Sequence, residues 1–97
     1  MNMQAMLKKA QKMQNDMMKT QNKINEKVFI GESSFVHVEM KAGNIISIKI
    51  NSDSIDHDDI EILEDMLVVA IQDAKNKYDK EMEKEMGSYT NGLPGLF

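Results

Sequence analysis

The residues from Asp56 to Met86 constrain the fold most, because they form one unbroken helical pattern that is long for a 97-residue chain. Apolar side chains recur every three or four residues, and no Gly or Pro intervenes before Gly87, which we expect to end the helix. Asp56 is a suitable N-cap, and the acids that follow it suit the positive end of the helix dipole. At about 1.5 Å per residue, this helix is about 45 Å long.

The two halves of this helix differ in their apolar surface. The half from Ile60 to Ile71 is apolar on more than one side, whereas Ala74 to Met86 is mostly charged around a narrow apolar seam. The first half therefore predicts a core helix, and the second predicts a projecting arm.

A second helix is predicted over residues 3–26, where apolar side chains follow a heptad spacing. The members of this seam are Met3, Met6, Ala10, Met13, Met17, Thr20 and Ile24. We expect the seam to pack against the charged half of the long helix as an antiparallel two-helix arm. Because Met fills such seams readily, this packing is favoured over a Met-rich recognition groove.

The lysines of the first helix lie on the side away from this seam. They are Lys8, Lys12, Lys19 and Lys23, with Lys9 beside them, and we call these five residues the lysine stripe. On an arbitrary helix, such a stripe is most often only a solvated face. From the residues alone, a solvated face is therefore favoured over a binding site.

A change to a two-residue period marks residues 27–51 as a sheet of three short strands. The expected turns are Gly31–Ser34 and Lys41–Asn44, and links this short predict an antiparallel meander. One face of the meander carries Val and Ile side chains, and we expect the first half of the long helix to pack on it. The expected fold is α+β, with the order α-β-β-β-α in a single domain of residues 1–97.

The long helix also predicts an assembly. Ile62, Met66, Val68 and Val69 include positions that one small sheet cannot cover together, so we expect a homodimer joined through the sheet and the start of this helix. Residues 88–97 lack any periodicity, and we expect them to form a flexible tail unless Leu93, Leu96 and Phe97 dock elsewhere.

Composition narrows the possible functions. The chain has no Cys and a net charge of -4, yet residues 1–27 carry six lysines against two acids. We expect a cytoplasmic protein without a membrane segment. His37 and His57 lack ligand spacing, the acids near Asp56 lack calcium-loop spacing, and no catalytic set is present. We therefore expect no metal, no cofactor and no enzyme activity.

Three segments together resemble the YbaB/EbfC family of bacterial nucleoid-associated proteins. They are "MNMQAMLKKAQKMQ", "SIKINSDSIDHDDIEILEDMLVVAIQDA" and "GLPGLF", and they occur in that order along nearly the whole chain. The resemblance implies an α-β-β-β-α protomer and a dimer whose two helical arms bind duplex DNA. The chain differs from many relatives at His57, where they have Pro at the first helical position.

With this resemblance, the lysine stripe becomes the expected DNA-binding site, through contacts to phosphates at the nucleoid. The lysines of the long helix lie three or four residues from acids, as Lys77 does from Asp73, so intrahelical pairing accounts for them. The chain has no Arg, and we therefore expect little sequence specificity. Two alternatives remain open: a protein-interaction module that serves DNA replication or recombination, and a purely structural two-helix dimer.

Overall fold

The computed structural model describes residues 2–51, 53 and 55–90 of the chain. The elements are α1 (Met3–Glu26), β1 (Val28–Ser33), β2 (Val36–Lys41), β3 (Asn44–Ile50), a single 3-10 turn (His57–Asp59) and α2 (Ile60–Thr90). This is the predicted α+β order, and the three strands form an antiparallel sheet in the order β1-β2-β3. The predicted fold class is therefore confirmed.

The first turn of the sheet differs from the prediction. Gly31 does not belong to a turn: it lies within β1 opposite Val38, and the turn consists of Ser34 and Phe35. Ser34 has a φ of 50° and so adopts the left-handed conformation that tight turns require. The second turn is formed by Ala42 and Gly43, whose φ angles of 54° and 80° are those of a type I′ hairpin.

The glycine in β1 allows the sheet and α2 to approach each other closely. A Cβ atom on Gly31 would collide with the backbone oxygen of Ala70 and would lie 2.6 Å from the backbone nitrogen of Ala74. Both alanines have no solvent exposure. With Val36, Val38 and Met40 of β2 they make up the buried core. Small residues on the helix and a glycine on the strand thus fix the position of α2.

The predicted end of α2 was wrong, and its start differs from the prediction in detail, since Asp56 lies at the N-cap of a 3-10 turn that leads directly into the helix. The 3-10 turn precedes the helix and is closed by a hydrogen bond of 3.0 Å from Asp59 N to Asp56 O, whereas the Asp56 side chain caps nothing. At the other end, Gly87 lies inside the helix, which continues to Thr90. A helical glycine costs only about 1 kcal/mol relative to alanine, and the neighbouring helix α1 can offset that cost. Of the predicted tail, 88–90 are therefore helical and 91–97 lie outside the described residues.

The arm consists of α1 packed antiparallel on the second half of α2. Ile24 of α1 is buried, and the hydroxyl group of Tyr78 donates a hydrogen bond of 2.9 Å to Asn25 Oδ1. Lys27 Nζ and Glu81 Oε1 form an ion pair at 2.8 Å. The described chain measures 70 × 23 × 13 Å, and this elongation comes from the arm.

Candidate nucleic-acid interface

The lysine stripe lies along the exposed surface of α1. All five of its side chains are exposed, and none forms an ion pair with another residue in the described part of the chain. From Lys8 to Lys23 the stripe follows the helix axis for about 22 Å. α2 packs against α1 near Met13, Met17 and Ile24, which belong to a different side of the helix. The stripe therefore forms an exposed lysine-rich surface, which Asp16 interrupts between Lys12 and Lys19.

The two ends of the stripe have different electrostatic surroundings. Lys23 lines a groove between the two helices together with Thr20, Ile24, Lys27, Glu81 and Glu85. The side-chain hydrogen bond and charge of Glu81 raise the pKa of Lys27, and the same pair lowers the pKa of Glu81. Because these two carboxylates border the groove beside Lys23, we expect a lower electrostatic potential there than at the Met3 end of the stripe.

Of the lysines of α2, Lys77 takes part in structural pairing, whereas Lys75, Lys80 and Lys84 form no ion pair with other described residues, contrary to the prediction. Lys77 Nζ lies 3.3 Å from Asp73 Oδ2, which confirms the predicted intrahelical pair. Lys77 also donates a hydrogen bond of 2.7 Å to the backbone oxygen of Ile30, and Asp73 accepts one of 3.1 Å from the backbone N–H of Glu32. That N–H group, followed by Lys77, lowers the pKa of Asp73.

These two bonds engage two backbone groups on the outer edge of β1, and we call Asp73 and Lys77 the edge clip. The sequence predicts the helical pair but contains no signal for its strand partners, because they depend on how α2 lies across the sheet.

A large apolar surface remains exposed on the sheet and on α2. α2 packs mainly on β1 and β2, so the apolar side of β3 is left open. The exposed side chains on β3 are Ile45, Ile46, Ile48 and Ile50, with 39% to 54% of their surface accessible. Ile60, Ile62, Val68 and Val69 of α2 are exposed to a similar degree, from 46% to 54%.

Other kinds of site find little support within the described residues. No group of three or more His, Asp or Glu side chains there could hold a metal ion. His37 lies on the outer face of the sheet, with Nδ1 at 3.1 Å from Glu32 Oε1 and Nε2 at 3.6 Å from Glu39 Oε1. In the part of the chain that is described, no helix is both long enough and apolar enough to cross a bilayer.

The whole chain is similar to proteins that are already known. A family model described as the YbaB/EbfC DNA-binding family matches residues 1–93. A nucleoid-associated protein of Enterococcus faecalis is 41% identical over 98% of this chain and 94% of its own length. One from Ligilactobacillus salivarius is 39% identical over 99% and 95%. One from Lactococcus lactis is 41% identical over 97% and 98%.

Proposed function

Since the chain belongs to the YbaB/EbfC DNA-binding family, we propose that it is a nucleoid-associated protein that binds duplex DNA through the lysine stripe. The observation that carries this proposal is the exposure of all five stripe lysines along one helix, without ion pairs to other described residues. Lysines that are free of protein carboxylates can neutralise phosphates and release the condensed counterions of DNA.

The chemistry of the stripe favours binding without strong sequence preference. The positive charges are lysine ammonium groups, and the chain has no Arg for bidentate contacts to guanine. A rigid helix that carries charges for about 22 Å can follow several phosphates along one groove. Phosphate contacts of this kind fix orientation and supply affinity, but they do not distinguish base pairs.

The first experiment measures fluorescence anisotropy against two unrelated duplexes of equal length over a range of salt concentrations. The test variant replaces Lys8, Lys9, Lys12 and Lys19 by Gln. The control replaces Lys41, Lys49, Lys75 and Lys80 by Gln, which removes the same charge from other surfaces. We expect similar affinity for both duplexes, and a salt slope that is shallower by about 0.9 for each phosphate that the test variant no longer neutralises.

Two outcomes would contradict the proposal. Equal losses of affinity in the test and control variants would mean that only the net charge matters. An absence of DNA binding even at low salt would favour the protein-interaction role instead. A Lys23→Gln variant adds a finer test, because the acids of the groove predict a smaller loss of affinity there than for Lys12→Gln.

We also propose that the protein is a homodimer joined through β3 and the start of α2. The exposed isoleucines of β3 and the exposed apolar residues of α2 support this interface, since large apolar patches are uncommon on isolated chains. The edges of the sheet differ as well. The edge clip bonds two of the outer backbone groups of β1, whereas no described side chain makes such a bond to β3.

Sedimentation equilibrium tests this interface with two matched substitutions. Ile48 and Val28 are 44% and 47% exposed in the single chain, on β3 and β1 respectively. We expect Ile48→Lys to raise the dimer dissociation constant by about tenfold or more, because it buries an unpaired charge in the interface. Val28→Lys should leave the constant unchanged. The reverse result would place the interface at β1.

A further inference from the structure

The Met3 end of α1 carries an apolar patch that the other described residues do not cover. Met3, Met6 and Leu7 are 83%, 54% and 61% exposed, and we call these three residues the tip patch. With Gln4 they line a shallow groove whose lining contains no charged residue. Met3 and Met6 belong to the heptad seam whose other end, Ile24, is only 2% exposed. The tip patch is thus the exposed end of a surface with the spacing that a second helix fits.

The lysines near the tip patch lie on the other side of α1. At about 100° per residue, Lys8 and Lys12 are more than about 140° from the centre of the patch, and Lys9 is about 110° from it. Two helices of about 10 Å diameter that pack through this patch hold their lysine stripes about 20 Å apart. This separation exceeds the Debye length of about 8 Å at physiological ionic strength. Two copies of the chain can therefore meet at the patch with little repulsion.

We propose that the tip patch packs against the same patch of a second copy of the chain, and that this contact joins two DNA-bound homodimers. The inference rests on the proposed function, because it takes the lysine stripe to be occupied by DNA. An identical patch brings only uncharged side chains into the groove, so no unpaired charge is buried. Both lysine stripes face outwards from such a contact, and each can hold a separate duplex.

The size of the tip patch determines when this contact forms. Three apolar side chains on each copy are far fewer than the roughly 20 to 30 residues that each side of a stable interface contributes. The contact is therefore too weak to join free homodimers in dilute solution. Copies that are held on neighbouring duplexes reach a local concentration of roughly millimolar order, and the phosphates also neutralise the stripe lysines. We therefore expect the contact on DNA.

DNA itself is a poorer occupant of the tip patch. A duplex that follows the lysine stripe lies on the far side of α1 from the patch, so the same duplex cannot reach both. A separate duplex would find no positive charge in the lining of the groove, whereas phosphate contacts dominate the affinity for DNA.

The first test uses the protein alone and asks whether two tip patches meet. Because the chain has no Cys, a single substitution supplies the only thiol. The test variant is Met6→Cys, and the control is Ala5→Cys, which is also exposed but lies on the other side of the helix. With a short bis-maleimide reagent at high protein concentration, we expect chains to be joined about tenfold faster or more in the test variant. Equal rates would overturn the proposal.

Size-exclusion chromatography of the cross-linked protein locates the contact. We expect particles of two or more joined homodimers. A product that remains a single homodimer would place the contact between the two arms of one dimer, and it would overturn the proposed link between dimers.

The second test measures whether the tip patch joins two duplexes. One duplex is attached to beads, a second carries a fluorophore, and the fluorescence that the protein retains on the beads is measured. The variant replaces Met3, Met6 and Leu7 by Gln, which favours helix and leaves the lysine stripe intact. We expect this variant to bind a single duplex as the wild type does, as measured by anisotropy. Retention of the second duplex should fall by about tenfold or more.

The outcomes separate this inference from the proposed function. Wild-type retention of the second duplex by the variant would overturn the inference, because the two arms of one homodimer would then suffice. A loss of affinity for a single duplex would identify DNA as the occupant of the tip patch. If the wild type binds no DNA at low salt, the proposed function fails, and the cross-linking rates still decide whether the patches meet.

Discussion

The part of α2 that lies on the sheet and the part that lies in the arm pack in opposite ways. On the sheet, Ala70 and Ala74 lie against Gly31 with no exposed surface, so the helix backbone nearly touches the strand. In the arm, the facing surfaces consist of methionines and long charged side chains, and most of them remain partly exposed. Small rigid residues permit one arrangement only, whereas Met side chains adapt to several. The contact with the sheet therefore fixes the direction of the arm. Within the arm, the methionine side chains can still change conformation.

The substitution Gly31→Ala should disrupt the close contact between the sheet and α2 most strongly. The new Cβ atom would meet backbone atoms of Ala70 and Ala74, which cannot rotate away. We expect the free energy of unfolding to fall by about 3 kcal/mol or more, as measured by urea denaturation. Gly43→Ala is the control, since it has space beside Tyr78 but a φ of 80°. It should cost only about 1 to 2 kcal/mol, and an equal loss of stability in both variants would contradict the close contact.

The second largest effect on stability is expected where α1 joins the sheet, at Ile24, and it contrasts with the outer end of the arm, at Met6. Ile24 is only 2% exposed, so Ile24→Ala should lower the free energy of unfolding by about 2 kcal/mol through the cavity it leaves. Met6 is 54% exposed, and Met6→Ala should change stability by no more than about 0.5 kcal/mol. Urea denaturation of both variants measures the difference. A comparable loss of stability at Met6 would mean that the whole seam is covered as tightly as its base.

A smaller effect of opposite sign is expected at Gly87. This residue lies inside α2, and a Cβ atom there would meet nothing within 4 Å. Gly87→Ala should therefore raise the free energy of unfolding by about 0.5 to 1 kcal/mol through helix propensity. Thermal unfolding followed by circular dichroism measures it. A loss of stability would show that the helix ends at Gly87 in solution, as the sequence suggested.

The smallest effect is expected at the ion pair that ties α1 to α2. Lys27 lowers the pKa of Glu81, so the pair stabilises the folded state only while Glu81 is ionised. Its contribution is present at neutral pH and is lost as the pH falls through the lowered pKa of Glu81. Glu81→Gln should thus reduce stability slightly at pH 7 and not at all in strong acid or high salt. A difference that persists in acid would point to packing rather than charge.

Periodicity accounts for the parts of this fold that could be predicted. The heptad seam of α1 and the two-residue alternation of β2 record which side of each element is buried, so the order α-β-β-β-α followed from the sequence. Gly31 was assigned to a turn because glycine favours turns. Its actual role depends on α2, which lies about 40 residues further along the chain. A local sequence pattern cannot predict a contact between residues so far apart in the chain.

In the candidate site, too, some features could be predicted from local spacing and others depended on how the helices and strands pack. The stripe lysines could be identified from helical spacing, because one helix carries them all. The carboxylates beside Lys23 could not be identified, since Glu81 and Glu85 come near it only through the pairing of α1 with α2. The backbone partners of the edge clip likewise required the position of the helix across the strand.

The edge clip also determines how far an assembly can grow. A sheet with two open edges can add neighbours on both sides and extend into a ribbon. Here Asp73 and Lys77 bond the backbone N–H of Glu32 and the backbone oxygen of Ile30 on one edge, so in the proposed dimer each protomer would join its partner through the β3 edge alone. Two protomers that each offer one open sheet edge leave no open edge when they pair. Two polar bonds on β1, made by Asp73 and Lys77, would thus protect a protein with an exposed apolar surface against open-ended aggregation.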